Sequence, residues 1–112
     1  MPWLKEANIA IVITGRPTVS KYWLQDASIA SGFVWLAAVN LGLGCAFGAV
    51  YNLMDEKESH KRESYVREAL EIPNDRSIIA ILGIGYENKK PASKRMASKS
   101  EVIHYNTFGS NP

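Results

Sequence analysis

Residues Ala27 to Met54 run for 28 positions without a formal charge, ASIASGFVWLAAVNLGLGCAFGAVYNLM. A stretch of this kind has three readings: a membrane helix, a bend inside a core, or backbone that comes close to a cofactor. It exceeds the ~20 apolar residues that cross a bilayer. Spanning is disfavoured because Ser28, Ser31, Asn40 and Asn52 are spread through it and Gly42 and Gly44 break it. What precedes the break has the length of a buried helix. A small membrane peptide is the lesser alternative.

The rest of the chain supplies alternating elements. Ala7 to Gly15, ANIAIVITG, is a β-branched run closed by Gly-Arg-Pro, and reads as a strand buried on both faces followed by a turn. Thr18 to Tyr22 is a polar connector. From Trp23 to Leu41 the spacing turns helical, with apolar residues nearly all round, which predicts a helix in the middle of a core. Asp26 in its first turns suits the helix dipole, and Gly42 suits a terminating residue with positive φ. Cys45 to Tyr51 reads as a short extended segment and Met54 to Lys61 as a charged loop. Ser64 to Glu71 is a short amphipathic helix ended by Ile72-Pro73-Asn74-Asp75. Arg76 to Tyr86, RSIIAILGIGY, is a second buried strand. Glu87 to Lys99 is polar and basic, and EVIHYNTFGSNP closes the chain. Three strands flanked by helices make a thin sheet. Only one short helix is left to cover a central helix that wants cover everywhere, so the chain is expected to oligomerise or to represent part of a domain.

Composition bounds the function. With 112 residues, 46% hydrophobic and 21% charged, the chain is too apolar for disorder and long enough for one core. A net charge of +2 without a basic recognition motif argues against nucleic acid. Cys45 is the single cysteine, so neither a disulfide framework nor a thiolate metal site is expected, and a cytoplasmic location is. MPWLKEAN lacks a basic segment followed by an apolar one, so no secretory signal is read there.

Few residues could carry chemistry unaided. Gly42, Gly44 and Gly48 spell G-x-G-x-x-x-G after a helix, not the G-x-G-x-x-G that follows a strand in dinucleotide-binding folds. A helix cap plus a crowded core turn explains them equally well. Lys89, Lys90, Lys94, Arg95 and Lys99 form a basic arm, which reads either as a phosphate site or as a solvated tail. His60 and His104 stand apart from any metal or triad spacing, and Trp23 and Trp35 read as core. With no nucleophile elbow and no paired carboxylates, catalysis would need an organic cofactor.

In sequence order, the chain carries Asp26, Leu36-Ala37-Ala38, Leu41-Gly42-Leu43-Gly44, Phe47-Gly48, Leu70-Glu71-Ile72-Pro73, Gly85-Tyr86, Lys94-Arg95 and His104-Tyr105-Asn106. In this order and spacing they resemble the C-terminal half of the nitroreductase family, FMN-dependent oxidoreductases that use NAD(P)H. The resemblance implies an α+β fold, a partial nitroreductase-like α/β/α sandwich of three strands, a long buried central helix, one short helix and an extended C-terminal arm. It implies that residues 1–88 form the C-terminal half of such a domain, and that 89–112 form a basic arm packing on a partner subunit. Main-chain N–H groups of Phe47, Gly48, Ala49 and Val50 would meet the flavin ring near N5 and O4, and Lys94 and Arg95 the ribityl phosphate. The family spaces its two basic residues by one position, whereas Lys94 and Arg95 are adjacent.

The implied activity is hydride transfer from NAD(P)H through flavin N5 to nitro- or quinone-like acceptors in a homodimer. The alternative is a truncated, non-catalytic dimerising remnant or fragment without flavin. The family's N-terminal half, including an Arg-rich helix that grips the phosphate, has no counterpart here. The chain is therefore expected to be a fragment, to pair with a missing N-terminal half, or to be a shortened relative.

Overall fold

The computed structural model describes residues 2–87 and 93–111. At its centre is β3 (Ser77–Gly85), buried from Ile78 to Ile84. On either side of it run β1 (Ile9–Gly15) and β2 (Gly44–Ala49), both antiparallel to it, in the order β1-β3-β2. β1 and β2 are thus parallel to each other, and α1 (Trp23–Asn40) crosses between them over one face of the sheet. The opposite face carries α2 (Glu56–Leu70) and the 3-10 turn Pro2–Glu6. A short α3 (Lys99–Val102) lies in the C-terminal segment. This is the expected three-layer α/β/α arrangement.

Two cores sit on the two faces. Val66 of α2 packs with Val50, Ile78 and Ile81, joined by Leu4, Val12 and Ile72. Ala27 of α1 packs with Ile79 and Ala80, joined by Ile13, Trp23 and Leu24. One apolar run feeds both because the register slips. Ile13 pairs with Ala80 but Thr14 with Ile78, leaving Ile79 as an extra residue. Such a bulge puts two successive side chains on one side, so Ile79 and Ala80 face α1 while Ile78 and Ile81 face α2.

Four sequence expectations need correction. β1 is not buried on both faces: it is an edge strand, and Ile9 and Ala10 are exposed. Two-sided burial belongs to β3, the only strand among the described residues with neighbours on both edges. Most of the stretch Met54 to Lys61 is not a loop, because α2 begins at Glu56, capped by Asp55, whose carboxylate accepts the Glu58 N–H at 3.0 Å. Capping and Glu–Arg pairs four residues apart, rather than an apolar period, build its first turns. The helix read as short therefore runs 15 residues.

The fourth correction concerns α1, which is not buried all round: only Ala27, Ser31 and Ala38 are covered, while Phe33 and Leu36 are each 67% exposed. Among the described residues no layer lies on its outer side. The whole chain exposes 9012 Å², against about 6,100 Å² for a folded monomer of this size.

The end of α1 is as expected. Gly42 adopts φ 77°, Gly42 N–H donates to Val39 O at 3.0 Å, and Leu43 N–H donates to Ala38 O at 2.9 Å. This pair of bonds is the Schellman arrangement, and it turns the chain straight into β2.

Candidate functional site

β2 carries the stretch that sequence singled out, and its position decides which main-chain groups are free. Among the described residues it pairs only with β3, so its other edge is open. The Val50 N–H donates to Ile79 O at 2.9 Å. In an antiparallel ladder, residues alternate between bonding their partner and pointing both N–H and C=O away from it. Counting back from Val50, Gly48 faces its register partner Ile81, while Phe47 and Ala49 direct their main-chain groups outward.

A side chain marks the same direction independently, since Arg62 Nη1 donates to Ala49 O at 3.1 Å. The four residues named from sequence are thereby divided. Phe47 and Ala49, both exposed, offer N–H donors at the open edge. Gly48 and Val50 are buried, with their N–H groups turned to β3.

Next to this edge, on the α2 side, opens a cleft of about 850 Å³. Leu4, Val50, Val66 and Ile81 form an apolar floor, and Lys5, Lys61, Arg62, Glu58 and Tyr65 stand around it. Glu58 accepts from Arg62 Nε at 3.0 Å, which leaves Lys5 and Lys61 as surplus positive charge at the mouth. A cleft with an apolar floor and few polar groups at its rim is the usual form of a small-molecule site.

α2 is held down at its far end by a second network. Arg67 bonds Glu63, Pro73 O and Arg76 O, and Glu63 accepts from the Ile78 N–H of β3 at 3.3 Å. Sequence reasoning missed Glu58 because it read Met54 to Lys61 as a loop, left Arg62 between that loop and the helix, and did not single out Tyr65 within the helix it read from Ser64. The signal lay in Asp55-x-x-Glu58 and in the Glu58/Arg62 and Glu63/Arg67 spacing.

Lys94 and Arg95 lie in an exposed, non-helical segment, and neither makes a hydrogen bond or ion pair within the described residues. Lys89 and Lys90 fall outside the described residues. The chain's end folds on itself: Gly109 N–H donates to His104 Nδ1 at 3.1 Å, and Asn111 Nδ2 donates to Ser100 O at 2.6 Å. With Nδ1 accepting, the His104 proton sits on Nε2, which faces Glu101 O at 3.2 Å. His104 thus organises a turn. Of the tryptophans, Trp23 packs in the core beneath α1, but Trp35 is partly exposed and stacks on Phe47, contrary to the core reading. Cys45 on β2 has its thiol pushed up from the ordinary cysteine value by burial. No helix among the described residues is long and apolar enough to cross a membrane.

An α/β/α layering with an open strand edge beside a central helix defines a class, and comparison with known proteins gives it a name. No family model matches the chain. It is 32% identical over 102 residues to a protein of Methanothermobacter thermautotrophicus, provisionally named NADH dehydrogenase/NAD(P)H nitroreductase, covering 88% of this chain and 50% of that one. A protein of the same provisional name from Archaeoglobus fulgidus is 34% identical over 87 residues, covering 74% of this chain and 47% of its own. Among solved structures, an FMN-dependent nitroreductase from Clostridium difficile R20291 superposes with a TM-score of 0.77 at 32% identity, covering 93% of this chain and 60% of that one. In sequence and in fold, the chain is a relative of the nitroreductase family. It spans about half the length of the curated relatives it matches.

Proposed function

We propose that the chain is the FMN-binding part of an oxidoreductase of nitroreductase type. The single observation that carries this reading is the pair of outward N–H groups, Phe47 and Ala49, on an open strand edge. FMN, when bound, supplies hydride transfer at N5 from NAD(P)H to nitro- or quinone-like acceptors. The residues present fit such a group in part. Main-chain donors two residues apart lie ~6.7 Å apart along a strand, so each can bond a separate acceptor along the edge of a flat ring, and fixed N–H groups favour a ligand that gains negative charge. The Phe47 side chain turns toward α1 and stacks on Trp35, so it leaves the edge itself unobstructed. Lys94 and Arg95 would hold the phosphate, the one as a point charge and the other as a fork.

The site needs a second polypeptide, and a second copy of this chain is our choice for it. Ile29, Phe33, Leu36 and Val39 all stand exposed along α1, and burying such a face repays ~25 cal/mol per Å². Residues 1–88 would form the shared domain part, and 89–112 an arm laid over the partner. Val102, Tyr105 and Phe108 are exposed there and would anchor it. Pairing with a separate N-terminal half is the other arrangement that would complete the site. We place the protein in the cytoplasm, where Cys45 would stay reduced.

The exposed α1 face also favours a second reading, a dimerising remnant with no flavin. One experiment separates the two. The purified full chain is mixed with FMN, freed of unbound flavin, and assayed for oxidation of NADH and NADPH with a nitroaromatic or quinone acceptor. A yellow protein that oxidises either nucleotide supports the enzyme. A stable, colourless dimer without activity supports the remnant.

A further inference from the structure

We propose that Arg62 is a positioning residue for the open edge of β2: it holds the Ala49 carbonyl, which steadies the strand backbone from which the Ala49 N–H points to the same side, and it fixes a positive charge there. This rests on the flavin reading above and deepens it.

The geometry is a chain of hydrogen bonds from helix to strand. The peptide between Ala49 and Val50 is pinned at both ends, its carbonyl by Arg62 Nη1 at 3.1 Å and its N–H by Ile79 O at 2.9 Å. The guanidinium is itself held, because Nε donates to Glu58 Oε1 at 3.0 Å. Glu58 sits in the first turn of α2, where its N–H donates to Asp55 Oδ1 at 3.0 Å. β2 needs such a clamp. Its sequence, GCAFGA, offers one large side chain in six, and small residues give an edge strand little packing to stay rigid. Since N–H and C=O of one strand residue point the same way, the Arg62 cation and the Ala49 donor share one side.

Fold stability does not account for the arrangement. The side chains of Arg62 and Glu58 are 48% and 42% exposed, and an exposed pair of this kind stabilises little. Its consequence falls on what binds at the edge. A fixed cation beside a main-chain donor favours the ligand state carrying more negative charge. The planar fork matters as well as the charge, because arginine reaches two acceptors in one plane and lysine does not.

Three full-length variants test this: Arg62→Gln, Arg62→Lys and Glu58→Gln. Two readouts are used, amide hydrogen exchange at Ala49 and Val50 in the protein without ligand, and affinity and midpoint potential of added FMN. We expect R62Q to melt close to wild type. Its Val50 amide should exchange about tenfold faster, as for the loss of one charge-assisted bond. R62Q should bind FMN more weakly, and about tenfold more so for the reduced form, a fall of about 30 mV in potential. R62K should recover the potential but not the amide protection, and E58Q should lose protection while keeping most of the potential. If wild type binds FMN and R62Q matches it in exchange and potential, the inference is overturned while the flavin reading stands. If wild type takes up no FMN, the flavin reading fails and this role with it. In that case the exchange data alone report whether Arg62 restrains the strand.

Discussion

The indole of Trp35 and the ring of Phe47 lie nearly parallel, 8° apart, with centroids separated by 6.2 Å. The contact joins the middle of α1 to the β2 edge that carries the candidate site. Both residues are 42% exposed, so this is an aromatic pair at the border of the core. A double-mutant cycle with Trp35→Ala and Phe47→Ala, followed by denaturant unfolding, should give a coupling of about 0.5 kcal/mol. Additive effects would mean that the two rings do not support each other.

The Glu63–Arg67 pair should matter more to stability than Glu58–Arg62. Its side chains are 16% and 17% exposed, and it ties α2 both to β3 and to the loop before it. Arg67→Ala should cost about 2 kcal/mol, because it strands Glu63 and two carbonyls in a partly buried place. Arg62→Ala should cost about 0.5 kcal/mol or less. Thermal melts of both variants check the order, and equal losses would contradict it.

Gly42 holds φ 77° at the end of α1. A side chain there meets nothing within 4 Å, so the penalty for Gly42→Ala is conformational alone, about 1 kcal/mol. A melt unchanged from wild type would show that the turn can relax.

Burial raises the Cys45 thiol above the ordinary cysteine value. At mildly alkaline pH, the folded chain should therefore react with iodoacetamide more slowly than the unfolded chain. The stability effect has a definite sign. As pH rises through the ordinary thiol value, the unfolded chain loses its proton first, so stability falls, and it levels off above the raised folded value. Cys45→Ser should flatten that limb of the pH profile.

What sequence made legible follows physical lines. β3 and α1 were found because apolar runs and helical spacing are local signals, and the αL end of α1 because Gly42 follows the last helical turn. The place of each strand in the sheet was not legible, since β1 and β3 have similar β-branched composition and only pairing distinguishes an edge from a centre. α2 was half missed because its first turns rest on an Asp55 cap and ion pairs rather than on apolar period. At the site, sequence named Phe47, Gly48, Ala49 and Val50 together. The alternation that turns Phe47 and Ala49 outward, and Gly48 and Val50 toward β3, requires a register that no single stretch contains. Arg62 was invisible for the same reason: its partner Ala49 lies 13 residues away.

The most direct measurement is amide NMR of the full chain during titration with FMN. Binding at the open edge of β2 predicts that the N–H signals of Phe47 and Ala49 shift in proportion to flavin bound, while that of Val50, committed to Ile79, moves far less. A chain that binds no FMN, or one whose Phe47 and Ala49 signals stay in place while others shift, would contradict it.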